Sequence, residues 1–531
     1  MGWVAFACLI QSHNLKFLCL ISESRSFSLT MAINKYQFLC LGYVTFGSIF
    51  YGYDSGITTS ILGYSRFLKY FDLDATKIGA FSSAYYAGSF LGCVLNWYLP
   101  DKIGRLRTIQ LSCVIAILGS SLQTGAKSFA VFCAGRAIGG IASGLIFSIC
   151  PVYASEISPP EIRGFIGGLY GFNVNASYML TEWIGLGFYF INSDVSWRLL
   201  LGLQIVPAIM MIVGSFWMPF SPRWLALKGR YDEALAVLKR MHGGLHDESF
   251  YLREYHQIKA QIELEKSQKA GVRTILTRKS YRKRIIMVIG IALFSQLTGV
   301  IPIQNYQVIV YQTMGFSTVL SLVLTGVYGT IATTSAGLAM CFCDRIGRRK
   351  LIYVAYGFMI PASLVLVILW ARYEASGNTN FGLGVGVAVS IYLFSCGYSG
   401  PINTFVPTYT PEILPTSIRS FGVASFYGTF NAIVIMLVQV TPLALQSISW
   451  KYFLIFFISD CIGIVLFYYL CPETRLKTLE EIEALFGETV AETLEEAGKH
   501  SEGAEMSVYV ENIEQVVDQK HEGGDFEKTP A

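Results

Sequence analysis

The sequence predicts an all-α membrane protein with twelve transmembrane helices in two six-helix repeats, and three observations predict it. Of 531 residues, 53% are hydrophobic, a further 50 are glycine and only 14% are charged, with a mean hydropathy of +0.48. Soluble domains carry about 25% charged residues, and no soluble interior of this size hides so much apolar surface. Apolar runs of about 20 residues, the length that crosses a bilayer as a helix, occur six times, stop at a polar stretch and occur six times more. Finally, Tyr153, Glu156 and Arg163 recur as Tyr409, Glu412 and Arg419, each displaced by the same 256 residues. Such a parallel repeat is the plan of proteins that bind a solute between two halves and rock around it.

The elements follow in order. Residues 37–219 form the first half, with spans near 37–62, 77–99, 108–126, 129–152, 165–190 and 196–219. Residues 286–471 form the second, with spans near 286–314, 317–341, 350–371, 382–407, 421–446 and 450–471. Between them, 220–285 is a polar loop in which Tyr231–Arg240 has the spacing of an amphipathic surface helix. From Ser221 to Arg284 there are fifteen basic and seven acidic residues; from Pro472 to Ala531, five basic and sixteen acidic. The acidic 472–531 segment is a tail, poor in aromatics and expected to be disordered beyond about Gly487. In residues 1–36, a moderately apolar stretch is interrupted by Gln11, His13, Asn14 and Lys16, and a thirteenth helix there would break the parity. It reads as a disordered segment or as a gene-model extension ahead of Met31, a plausible start. Asp101-Lys102-Ile103-Gly104-Arg105 lies between spans 2 and 3 and Asp344-Arg345-Ile346-Gly347-Arg348 between spans 8 and 9. With the basic central loop, they put these connections and both termini on the cytoplasmic side.

Several functions are excluded. No basic stripe is interleaved with aromatics as nucleic-acid binding requires. All twelve cysteines lie in apolar segments without metal-type or disulfide-framework spacing. The six histidines lie in the N-terminal stretch, the central loop and the tail, so none serves as an intramembrane ligand or relay. The chain has no Gly-x-x-x-x-Gly-Lys phosphate loop and no nucleophile–base constellation, so neither ATP-driven transport nor an enzyme is encoded, and no cofactor is expected.

The chain resembles the sugar porter family of the major facilitator superfamily, with a fungal flavour in its loops and tail. The resemblance rests on Gly52-Tyr53-Asp54-Ser55-Gly56, both Asp-x-x-Gly-Arg loops, Gly135-Arg136-Ala137-Ile138-Gly139-Gly140 and Pro151-Val152-Tyr153 with Glu156 and Arg163-Gly164. Ser221-Pro222-Arg223-Trp224-Leu225 and Pro472-Glu473-Thr474-Arg475 complete the set, which runs in the family's order over about 37–485. The resemblance implies alternating access, with Asp101, Arg105, Glu156 and Arg163 and their counterparts Asp344, Arg348, Glu412 and Arg419 forming a cytoplasmic gate. Charges that merely snorkel to the interface are the plainer reading, which the repetition of acid and base in both halves opposes.

Asp54 lies mid-helix, where an ionised carboxylate costs a few kcal/mol unless paired, and Arg136 is its natural partner. In proton-coupled members of the family the matching pair carries the coupling; a permanent structural pair, as in a uniporter, is the alternative. Glu182 and Asp460 are further intramembrane acids, open to roles as substrate contacts, second proton sites or partners of a neighbouring polar group. For the substrate, Tyr51 and Gln296 stand where the resemblance implies ligands; Gln304 and the asparagines Asn173, Asn305, Asn403 and Asn431 are candidate replacement amides, with hydrogen bonding between helices the alternative for each asparagine. Several positions depart from the pattern: Ser295 replaces a glutamine, Gly171 another, Ile301 and Phe430 an asparagine each, and Thr404 a tryptophan. Each lost hydrogen bond to a hydroxyl costs ~0.5–1.5 kcal/mol, so weak hexose affinity or another solute is expected. The expected function is secondary transport of a sugar or related polyol, with the bilayer and a proton as partners, at the plasma membrane. The alternatives are an exporter of a small secondary metabolite, with a cavity widened by Ile301, Thr404 and Phe430, and a non-transporting sensor.

Overall fold

The computed structural model describes residues 35–158, 163–242, 277–414 and 418–474, with isolated positions between 243 and 276 and at 486. Expectations for residues 1–34, for the acidic tail beyond Gly487 and for the side chains of Arg163, Asp344 and Arg419 fall outside the described residues.

Every regular element among them is helical. Spans 1 to 6 are Lys35–Ile61, Ala75–Leu95, Arg105–Gly125, Phe129–Ile157, Arg163–Tyr189 and Val195–Ser215. Spans 7 to 12 are Lys279–Thr313, Thr318–Ile346, Arg348–Ala375, Phe381–Glu412, Arg419–Ser447 and Lys451–Leu470. Ten of these are long and apolar enough to cross a membrane. Spans 1 and 5 have the length but carry Asp54 and, in span 5, Asn173, Asn175 and Glu182, which lower their hydropathy. Polar side chains cap several starts: the Asp74 carboxylate accepts from the Lys77 N–H at 2.7 Å before span 2, and Ser128 and Asn380 do the same before spans 4 and 10.

The sequence repeat is also a geometric one. Gly104 and Gly347, the glycines of the two Asp-x-x-Gly-Arg motifs, have φ of +95° and +91° and open spans 3 and 9 alike. Tyr153 donates its hydroxyl to the Pro219 carbonyl, and its counterpart Tyr409 donates to Pro472. These contacts, together with the short helix Pro222–Leu227 and the amphipathic helix Tyr231–His242, gather at one end of the bundle, here the motif end. Trp224 fixes that arrangement by donating its indole N–H to the Asp101 carbonyl at 3.2 Å.

Several spans differ from the apolar runs that predict them; span 8, for one, runs on to Ile346. Span 4 continues through Pro151 to Ile157, and span 7 starts at Lys279. Hydropathy marks the hydrocarbon thickness, whereas backbone hydrogen bonding continues into the headgroup zone until something stops it. Span 7 is broken between Gln296 and Val300, with Gly299 at φ +85°. Span 10 contains a single π turn, Tyr398–Ile402, where Pro401 removes a donor. Both breaks lie at the level of the central cavity.

Spans 2 and 4 meet backbone to backbone. A Cβ on Gly140 would lie 2.0 Å from the Tyr85 carbonyl oxygen, and one on Gly144 would lie 2.2 Å from that of Ser89. Only small residues allow such an approach, and it carries Tyr85 up against Arg136. Large apolar side chains such as Leu118, Phe216, Leu338 and Ile458 point outward, as a lipid-facing surface requires. Gly140→Leu is therefore expected to lower the melting temperature in detergent, since overpacking a tight core costs ~1–3 kcal/mol or more. Gly187→Leu, where nothing lies within 4 Å, is expected to leave it unchanged.

Candidate functional site

Span 1 presents two adjacent faces. Asp54 and Thr58, one turn apart, face span 4, while Tyr51 and Ser55 face the centre of the molecule. Arg136 donates from Nη1 to Asp54 Oδ1 at 3.1 Å and from Nη2 to Thr58 Oγ1 at 2.7 Å. Its guanidinium lies 4.4 Å from the centre of the Tyr85 ring. The second carboxylate oxygen accepts from Ser143 Oγ at 3.2 Å, and Ser143 in turn accepts from the Tyr85 hydroxyl at 2.9 Å. Both charged side chains are 1% exposed. The expected partnership is thus present, inside the first half and one layer behind the cavity wall.

The cavity lies between the halves, with about 840 Å³ of space that includes the solvent open to it. Of the residues expected to bind substrate, Tyr51, Gln296, Gln304, Asn305 and Asn403 line it. Gln296 donates to the Tyr398 hydroxyl at 3.2 Å, and its buried Oε1 has no protein partner. Asn305 donates to the Tyr86 hydroxyl at 3.4 Å. Asn431 is not brought to the cavity; it donates to the Tyr427 carbonyl at 2.8 Å on its own helix and faces Cys93. Thr404 is buried and does not line the cavity, whereas Ile301 and Phe430 do. Asn175, Tyr86, Tyr178 and Tyr398 line it without having been singled out from the sequence. Gly171, Asn175 and Tyr178 share one helical face of span 5, and that spacing is the signal by which they were accessible. Among the described residues, none that lines the cavity is charged, and aromatic rings are the largest group, with Tyr51 stacked on Phe147 at 3.8 Å between centroids.

Away from the motif end, the cavity is closed by neutral contacts. Thr59 and Tyr178, from spans 1 and 5, both donate to the Gln304 carbonyl of span 7, at 2.6 and 2.8 Å. Toward the motif end a smaller space of about 360 Å³ adjoins it, sharing Val406, Pro407, Phe426 and Tyr427.

At the motif end, Arg105 binds Asp101 at 2.9 Å and Glu156 at 3.0 Å, and Arg348 binds Glu412 at 3.1 Å. Glu412 also accepts from Thr474, and Glu473 accepts the backbone N–H groups of Arg348 and Arg349 at 3.0 Å each. Among the described residues these ion pairs join helices of one half; none crosses to the other.

The family described as "Sugar (and other) transporter" matches residues 40–486. The chain belongs to the sugar porter family of the major facilitator superfamily. It is accordingly a multi-pass membrane transporter and not an enzyme. An "MFS-type transporter criB" of Aspergillus cristatus is 32% identical over 439 residues, 82% of this chain and 90% of that one. A "High-affinity glucose transporter" of Kluyveromyces lactis is 28% identical over 475 residues, 86% of each chain. Among solved structures, the proton:xylose symporter XylE superposes with a TM-score of 0.73 at 20% identity, covering 85% of this chain and 99% of that one.

Removing either partner of a buried ion pair strands the other. The two truncations are not equivalent, because a lone carboxyl can take up a proton whereas a guanidinium stays charged. Asp54→Ala is expected to cost about 3–5 kcal/mol of stability, and Arg136→Ala clearly less. Chemical unfolding of the two variants in detergent checks the order.

Proposed function

We propose that this transporter carries a neutral sugar or related polyol by alternating access, coupled to a proton through Asp54 and Arg136. The observation that carries the reading is the placement of that pair. It is sealed from water behind Tyr51 and Ser55, two cavity-lining residues of the same helix. A proton on Asp54 neutralises the carboxylate, frees Arg136 to rotate toward other acceptors, and thereby moves the wall of span 1 that a solute touches. Gln296, with one unpartnered carbonyl oxygen, offers an acceptor to a solute hydroxyl, and Gln304, Asn305 and Asn403 add neutral amides around it. The absence of charge in the lining favours an uncharged solute, since an ion would be desolvated there without a counter-charge.

The motif end is the cytoplasmic end in this proposal, with both termini on that side and the plasma membrane as the site of action. The Asp101, Arg105, Glu156 and Arg163 cluster and its repeat, Asp344, Arg348, Glu412 and Arg419, then make the inner gate. A second reading is carried by the aromatic lining with Ile301 and Phe430. Such a wall suits a larger, partly apolar neutral metabolite, and export rather than import would be its direction.

Labelled glucose uptake into vesicles containing the purified chain tests the first reading. Uptake that concentrates with an inward proton gradient and collapses with a protonophore supports symport. Asp54→Asn, which keeps an oxygen for Arg136, is then expected to lose concentrative uptake and retain exchange. Gln296→Ala is expected to raise KM about ten-fold, the cost of roughly one hydrogen bond. Equal uptake with and without the gradient would make the pair structural, and no uptake by folded protein would favour the second reading.

A further inference from the structure

Among the described residues, the hydrogen bonds that cross between the halves are made by neutral groups with a single exception. Thr59 and Tyr178 reach Gln304, Ser83 reaches Gln439 at 2.8 Å, and Trp183 reaches Thr330 at 3.1 Å. The exception is Glu182 of span 5. Its Oε1 accepts from Gln307 Nε2 of span 7 at 3.2 Å. Its Oε2 lies against the span 8 backbone at Gly329, 2.1 Å from where a Cβ on that glycine would stand, and accepts from no side chain. The side chain is 1% exposed.

Glu182 therefore contrasts with Asp54. Asp54 has a guanidinium and two hydroxyl-bearing neighbours, all within one half. Glu182 lies on the plane where the halves separate, with its second oxygen held only against the Gly329 backbone. The titratable groups around it are the tyrosines Tyr178 of span 5, Tyr311 of span 7, Tyr328 of span 8 and Tyr392 of span 10. No cation among the described residues bears on it. A carboxylate buried without a counter-charge takes up a proton rather than pay for desolvation. Gly329 leaves the room that the second oxygen occupies.

We propose that Glu182 is a second proton-binding site, protonated while the seam is closed as here and deprotonated when the seam opens. In the closed state its O–H bond is intact and the carboxyl is neutral. When spans 5, 7 and 8 part, water enters, the O–H bond breaks, water takes the proton, and the exposed carboxylate is hydrated. Closing the seam requires the proton back, so the two events are linked thermodynamically. The sign follows: acid favours the closed seam and alkali the open one. The inference deepens the proton-coupled reading, but it needs neither the transported solute nor Asp54, so the two can fail separately.

The test uses the full chain in lipid nanodiscs, titrated from acid to alkaline pH and read in two ways. Infrared spectroscopy follows the carbonyl stretch of protonated carboxylic acids. Hydrogen–deuterium exchange, corrected for its intrinsic pH dependence, follows protection of the span 5 and span 8 peptides. Asp460 of span 12 is a second buried carboxyl with no hydrogen-bond partner, so the proposal expects a protonated-carboxyl band with a component that Glu182→Gln removes and that Asp54→Asn and Asp460→Asn retain. It also expects seam protection to fall several-fold with rising pH in the parent chain and to stay high in Glu182→Gln, while Glu182→Asp restores the dependence. A band unaffected by Glu182→Gln would overturn the proposal. So would seam protection that follows pH equally in parent and Glu182→Gln, or that does not depend on pH in either.

Discussion

The structure depends on a separation of strong from weak interactions. In a medium of low dielectric a charge must meet its counter-charge, and such a contact is expensive to break. Among the described residues, every membrane-level and motif-end ion pair is made within one half: Asp54 with Arg136, Arg105 with Asp101 and Glu156, Arg348 with Glu412. Apart from the Glu182 carboxyl, the polar contacts across the seam between halves are made instead by hydroxyls, amides, carbonyls and an indole N–H, whose net worth is about 0.5–1.5 kcal/mol each. Each half can therefore remain rigid while the seam exchanges partners.

The backbone serves the same division. Spans 2 and 4 are fused at Gly140 and Gly144 so closely that no side chain separates them, and this contact stacks Tyr85 on Arg136. By contrast, two of the helices facing the cavity from the second half are interrupted, span 7 at Gly299 and span 10 at the π turn Tyr398–Ile402, while span 11 is continuous. Interrupted helices expose backbone groups and give a helix a place to bend, and they are tolerated where they line a cavity. The fused pair of spans 2 and 4 and the bendable spans 7 and 10 are thus two consequences of where glycine and proline fall.

Much of this was legible in the sequence. Hydropathy located the spans to within a few residues at most ends, since a bilayer of fixed thickness imposes a fixed length. The repeat offset linking Glu156 to Glu412 returned as matching geometry because both halves use the same turn, with Gly104 and Gly347 at positive φ. Asp54 and Arg136 could be paired in advance because two opposite charges buried at similar depth have few other options. The cavity wall was less legible. Five of the expected substrate residues line it, but Asn431 bonds its own helix, and an asparagine's choice between ligand and helix backbone is not written in local sequence. Nor was the partnership of Glu182, which depends on how spans 5, 7 and 8 meet.

The central claim is that the cavity opens to one end at a time because the weak seam parts while the halves stay intact. A reactive thiol inside the cavity tests it without knowledge of the solute. Ser55→Cys places one on the wall, and an impermeant thiol reagent is applied to either face of sealed, uniformly oriented vesicles. The seam can be tied at the far end with Gly63→Cys and Leu322→Cys, since a Cβ on Gly63 would lie 2.9 Å from Leu322 Cδ2. Labelling from both faces before oxidation, and from the motif-end face alone afterwards, is the predicted result. Labelling from the far face with the disulfide formed would contradict the account.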